Sequence, residues 1–69
     1  MVITIDEPIT KLLTHRQIIA YDHNNNVICR LSIPLKQKQI IINENPSLKS
    51  VAVEDYFHQR LIGSRGYQL

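Results

Sequence analysis

Gln17–Asp22 (QIIAYD), Val27–Ile33 (VICRLSI) and Gln39–Asn43 (QIIIN) are three runs of β-forming residues in the middle of this chain. His23–Asn26 (HNNN) separates the first two, and Pro34–Lys38 (PLKQK) the second two. β-Branched runs bounded by Asn and Pro clusters predict successive strands. Asn tolerates the positive φ of a tight hairpin turn, so HNNN predicts a hairpin without glycine. Pro34 ends the middle strand or lies at its edge.

Working outward, Val2–Ile5 (VITI) predicts a short first strand, broken by Asp6-Glu7-Pro8. Ile9–Thr14 (ITKLLT) fits either a helical turn or a strand. Glu44–Ser50 (ENPSLKS) predicts a turn, and Val51–Val53 (VAV) a last strand. Glu54 or Asp55 is placed to cap a helix running to Ile62 and stopped by Gly63. The expected fold is mainly β: a small antiparallel five-stranded sheet or barrel with a short C-terminal helix. Within Val27–Ile33, alternation puts Val27, Cys29, Leu31 and Ile33 on one face, which is expected to be buried.

Sixty-nine residues make one domain, 1–69, and a chain this small buries only about 60% of its unfolded surface. Such scaffolds usually use a disulfide, a metal or a partner subunit, the alternative being an ordinary marginal monomer. Cys29 is the single cysteine, and no Cys/His group has structural-zinc spacing. A homo-oligomer, most simply a dimer, is therefore expected, with Val27–Ile33 and Gln39–Asn43 in its core. No cofactor is implied. No apolar run is long enough to span a membrane, and the N-terminus lacks the pattern of a secretory signal. A lone cysteine then fits the reducing cytoplasm.

Candidate chemistry is sparse. His15, His23 and His58 are scattered, and Cys29 inside a strand is expected to be a small buried hydrophobe. Asp6-Glu7 and Glu54-Asp55 are adjacent pairs whose members point to opposite faces of a strand, so neither makes an obvious acid/base dyad. Gly63-Ser64-Arg65-Gly66 is too short for a phosphate loop and predicts a flexible tail. These features point away from an enzyme. The net charge is +2, which permits nucleic-acid contact without demanding it. Past Asp55 there are no acids, while His58, Arg60 and Arg65 follow. Lys36 and Lys38 bracket the turn after the middle strand. A solvated surface explains these charges as well as a partner does.

From Arg16 onward the order of elements resembles the carbon storage regulator family of bacterial translational regulators. Gln17–Asp22 is similar to that family's apolar second strand. Val27–Ile33 and Gln39–Asn43 resemble its third and fourth, Pro46 stands where the fourth closes, and Val51-Ala52-Val53 resembles its fifth. Gln59-Arg60-Leu61 falls where the family has its helix. The resemblance implies a small RNA-binding regulator of translation. The family reads RNA with arginines in its first strand and just after the fifth; here Asp6-Glu7 and Glu54-Asp55 stand at those places. Acids repel phosphate, so RNA contact would fall to Lys36, Lys38, Arg60 and Arg65. Separately, Tyr21–Ile28 (YDHNNNVI) resembles the first signature of Sm-like RNA-binding proteins, with Asp22 and Asn26 at its base-contacting positions. The leading expectation is an RNA- or mRNA-binding regulator. The alternative is a protein-binding inhibitor or adaptor of phage or mobile-element type, which exposed strand edges would suit.

Overall fold

A computed structural model describes residues 1–5 and 13–69. The expectations for Asp6-Glu7-Pro8 and for most of Ile9–Thr14 fall outside the described residues. Six strands form among the described residues: β1 (Val2–Thr4), β2 (His15–Tyr21), β3 (Val27–Ile33), β4 (Gln39–Ile41), β5 (Ser50–Phe57) and β6 (Arg60–Gln68). All pairings are antiparallel. One sheet has the order β3-β2-β5-β6, and β1 pairs with β4 in a second, two-stranded sheet. Among the described residues there is no helix, and so none long and apolar enough to cross a membrane.

Alternation along β2 and β5 builds the core. Ile18 and Ala20 lie opposite Val53 and Val51 and share one face of the large sheet. The small sheet lies on that face through Ile3 and Ile5 of the β1 arm and Ile40 of β4. These residues form one buried cluster with Ile18, Val51 and Val53, and Ile33, Ile42, Leu48 and Tyr67 pack against it. Ile19 points the other way, between Arg30 and Ala52 in register, and is also fully buried.

The HNNN turn forms as expected. Asn25 adopts φ 63°, and the Asp22 N–H donates to the Asn26 carbonyl at 3.0 Å. The Asp22 carboxylate accepts from the N–H groups of Asn24 and Asn26, each at 2.9 Å. The Asn26 amide first, with that of Asn24, holds the Asp22 carboxyl below its ordinary pKa.

Four expectations are corrected. The single five-stranded sheet or barrel is instead a four-stranded and a two-stranded sheet, because the chain beyond Val53 adds β6 and β1 pairs with β4 alone. The helix from Glu54 or Asp55 to Ile62 is instead the β5–β6 hairpin, turning at His58 with φ 54°. A helix there would have left one edge of β2 short of partners. Extending β5 pairs β2 from His15 to Tyr21. The expected tail at Gly63–Gly66 is part of β6 for the same reason, with Gly63 facing Asp55 and Gly66 facing Ala52. Finally, the set Val27, Cys29, Leu31 and Ile33 is mostly open, and a bulge at Ile28 takes Val27 off the face of the other three. Val27 is 45% and Leu31 58% exposed, and Cys29 is exposed. β3 is an edge strand, and the small sheet covers β2 and β5, so only Ile33 reaches the core.

Two outcomes are expected. Ile18→Ala should destabilise the chain by roughly 2–5 kcal/mol in denaturant titration, because the buried cluster around it would be left with a cavity. A loss under about 0.5 kcal/mol would show that the small sheet does not cover β2. Asp22 should titrate below the ordinary carboxylate range by NMR, with the Asn24 and Asn26 amide shifts following the same curve. Its folded pKa is depressed, so its support of the turn is present above the unfolded pKa and is lost as pH falls through the folded one.

Candidate nucleic-acid interface

Antiparallel register brings the ends of five elements to one end of the large sheet. β2 starts there, β3 ends there, and the Pro34–Lys38 turn and the β5–β6 hairpin lie there. The inner face at this end is charged. Arg16 precedes Ile18 by two residues and Asp55 follows Val53 by two, so both point inward and face each other across the ladder. Arg16 is 1% exposed and Asp55 6%. Arg16 Nε donates to Asp55 Oδ1 at 2.6 Å, and Arg16 Nη2 to Oδ2 at 3.5 Å. From β6, Arg65 Nη2 donates to the same Oδ2 at 3.1 Å. One carboxylate thus serves two guanidinium groups, and Arg65 Nε is buried with no partner.

The outer face carries a second network. Tyr56 donates its hydroxyl proton to Glu54 Oε1 at 2.6 Å, and Arg30 Nη1 lies 3.6 Å from the same oxygen. Donation to Glu54 raises the Tyr56 phenol above its ordinary pKa. His15 stacks on Tyr56 with ring centroids 4.7 Å apart. Thr14 ties the end together: its hydroxyl donates to the Tyr56 carbonyl at 3.1 Å and accepts from the His58 N–H at 2.6 Å.

The sequence-selected residues part company here. Lys36 lies exposed in the turn after β3, and Arg60 exposed at the start of β6. Three strand spacings, about 14 Å, separate β3 from β6. Lys38 lies beside the small sheet, where its carbonyl accepts from the Ile5 N–H at 2.7 Å. Arg65 is not a free surface cation, because it is bound to Asp55. Asp22 of the Sm-like segment uses Oδ1 on turn amides. Sequence reasoning missed Arg16, Arg30, His15 and Tyr56. The signal for Arg16 was available: it continues the inward-facing series of Ile18 and Ala20, so it needed an inward-facing acid on a neighbouring strand.

Glu54 and Asp55 were expected to repel phosphate. The structure withdraws both from solvent: their side chains are 14% and 9% exposed and are held by Arg30 and by Arg16 with Arg65. Asp22 and Glu44 lie toward the opposite end, where Asp22 closes the β2–β3 turn. Among the described residues, no group of three or more His, Cys, Asp or Glu could hold a metal ion.

No family model, curated protein or solved structure matches the chain.

Asp55→Asn should cost roughly 3–5 kcal/mol in chemical denaturation, because it leaves a fully buried guanidinium without its counter-charge. Arg65→Gln should cost clearly less, since Arg16 still neutralises Asp55. Equal losses would mean that Arg65, rather than Arg16, is the main partner.

Proposed function

We propose that this protein is a non-enzymatic, cytoplasmic RNA-binding regulator acting on mRNA. It would contact phosphate at the sheet end that carries Lys36 and Arg60. The observation that carries this reading is the neutralisation of Glu54 and Asp55 by Arg16, Arg65 and Arg30. It removes the part of the acidic barrier that Glu54 and Asp55 make, and among the described residues of this end exposed cations set the local potential. The turn after β3 and the start of β6 lie on the two edges of the large sheet, three strand spacings or about 14 Å apart. Exposed Lys and Arg at that spacing position a backbone rather than read bases. Lys38 adds positive charge beside the turn, and Arg65 acts from behind by holding Asp55.

A second reading rests on a different observation. β3 is almost entirely exposed, carries Val27, Ile28 and Leu31, and borders an apolar cleft. An open edge with an apolar pocket suits a protein-binding inhibitor or adaptor that receives a strand.

Salt dependence separates the two. Polarisation with structured and single-stranded RNA should show binding at low salt that falls steeply as salt rises. Lys36→Glu with Arg60→Glu should weaken it for all sequences. On single strands, the log–log slope should flatten by about 0.7 for each phosphate that is no longer neutralised. The fold should persist, because both side chains are solvated. A folded wild type that binds no RNA at low salt removes the RNA reading and leaves the protein-binding one.

A further inference from the structure

We propose that the open edge of β3 is a homodimer interface, paired antiparallel with β3 of a second copy about a two-fold axis at Leu31. This does not rest on the RNA reading. It starts from where the apolar surface lies. Among the described residues, five of the eleven exposed large apolar side chains, Val27, Ile28, Leu31, Leu35 and Ile41, belong to β3, β4 or the turn between them; Phe57, Leu61 and Ile62 lie on the β5–β6 hairpin at the other edge, and Met1, Val2 and Leu69 near the two ends of the chain. Ile41 is 78% exposed. Beside β3 lies a cleft of about 310 Å³, lined by Ile18, Ala20, Cys29, Leu31, Ile40 and Leu48 among others, with no charged residue in its wall.

The strand itself argues for a second copy. Ile28 is the extra residue of a bulge, since Ala20 faces Cys29 while Tyr21 faces Val27. Pro34 follows the strand and has no N–H to donate. The regular part of the edge is therefore Cys29–Ile33, whose midpoint is Leu31. A two-fold axis normal to the sheet at Leu31 sets Leu31 against its own copy, Cys29 against Ile33 and Arg30 against Ser32. Every pair on the inner layer is then apolar, and no like charges face each other. Centring one residue earlier would place Arg30 against Arg30, which disfavours that register. Pairing at Leu31 gives the unpaired edge a full ladder and brings the two apolar clefts together, with Ile41 at the mouth.

Sedimentation and light scattering of the full chain from about 1 µM to 0.5 mM test this, with a concentration-dependent melting temperature as a second readout. The wild type should reach twice its monomer mass. Leu31→Arg should weaken the dimer at least about 100-fold, as expected for a charge forced into a desolvated centre. Its fold should survive in circular dichroism because Leu31 is exposed in the single chain; Leu31→Ser serves if it does not. The register is tested by oxidation. In the double variant Cys29→Ser/Leu31→Cys, opposed residues lie about 4.5–5.5 Å apart by Cα and should crosslink. Wild-type Cys29, opposite Ile33, should not. A monomer across the whole range, a dimer that survives Leu31→Arg, or crosslinking through wild-type Cys29 would overturn the proposal. A monomer that binds a different protein in a Leu31-dependent way would also overturn it, and would assign the edge to a foreign strand.

Discussion

The contact between Arg16 and Asp55 is the constraint on which the rest of the large sheet depends. A buried guanidinium without a carboxylate is strongly unfavourable, so the register of β2 against β5 cannot slip. A shift of one residue would turn Asp55 to the outer face and leave Arg16 buried and unpaired. The same register places Ile18 against Val53 and Ala20 against Val51, which is the floor that the β1–β4 pair covers. Replacing such a pair with well-packed apolar residues is often neutral or stabilising, so its role here is one of specification more than strength. Arg65 extends the contact to β6, so one carboxylate links three strands through side chains as well as through the ladder.

That contact also explains which parts of the fold were legible in the sequence. β1 to β4 are legible because each is a β-branched run closed by Asn, Pro or a polar turn. The hairpin at HNNN is legible because the local chemistry, Asp22 and the positive φ of Asn25, is complete within five residues. β5 and β6 are not. Beyond Val53 the inward positions Asp55, Gly63 and Arg65 carry no apolar signal ahead of Tyr67, while Glu54-Asp55 and Gly63 mimic a helix cap and stop. Strand pairing to β2 overrides those local signals, because ladder partners are long-range. Alternation in β3 placed Cys29 and Leu31 on the core side correctly, but alternation cannot show that a strand is at an edge and that its inner side chains remain uncovered.

The candidate site was legible to a similar, partial degree. Counting charges selected Lys36, Lys38, Arg60 and Arg65, and the topology does bring the Pro34–Lys38 turn and the β5–β6 hairpin to one end. Charge counting could not show that Arg65 is committed to Asp55. Nor could it show that Glu54 and Asp55 are screened from solvent. Both facts depend on which residues face each other across the ladder, and the sequence leaves this open once β5 is misassigned. The acidic pair changes meaning accordingly. On a solvated helix it would repel a polyanion; inside the sheet it holds the scaffold together and leaves the surface potential to the cations.

The two surfaces follow from different physics, and this keeps them compatible. The basic end depends on exposed charge, which acts over about 8–10 Å and weakens with salt. The β3 edge depends on apolar area and unpaired backbone groups, which are nearly indifferent to salt and act only at close range. Pairing two copies antiparallel at β3 would point their basic ends in opposite directions along the strands. Such a dimer would offer two separated phosphate sites rather than one enlarged patch. A single RNA long enough to reach both would then bind more tightly through effective concentration, without a new interaction at either site. A 69-residue chain has little interior in which to build function. Using the end of its sheet for charge and the edge for assembly would leave the small core undisturbed by either.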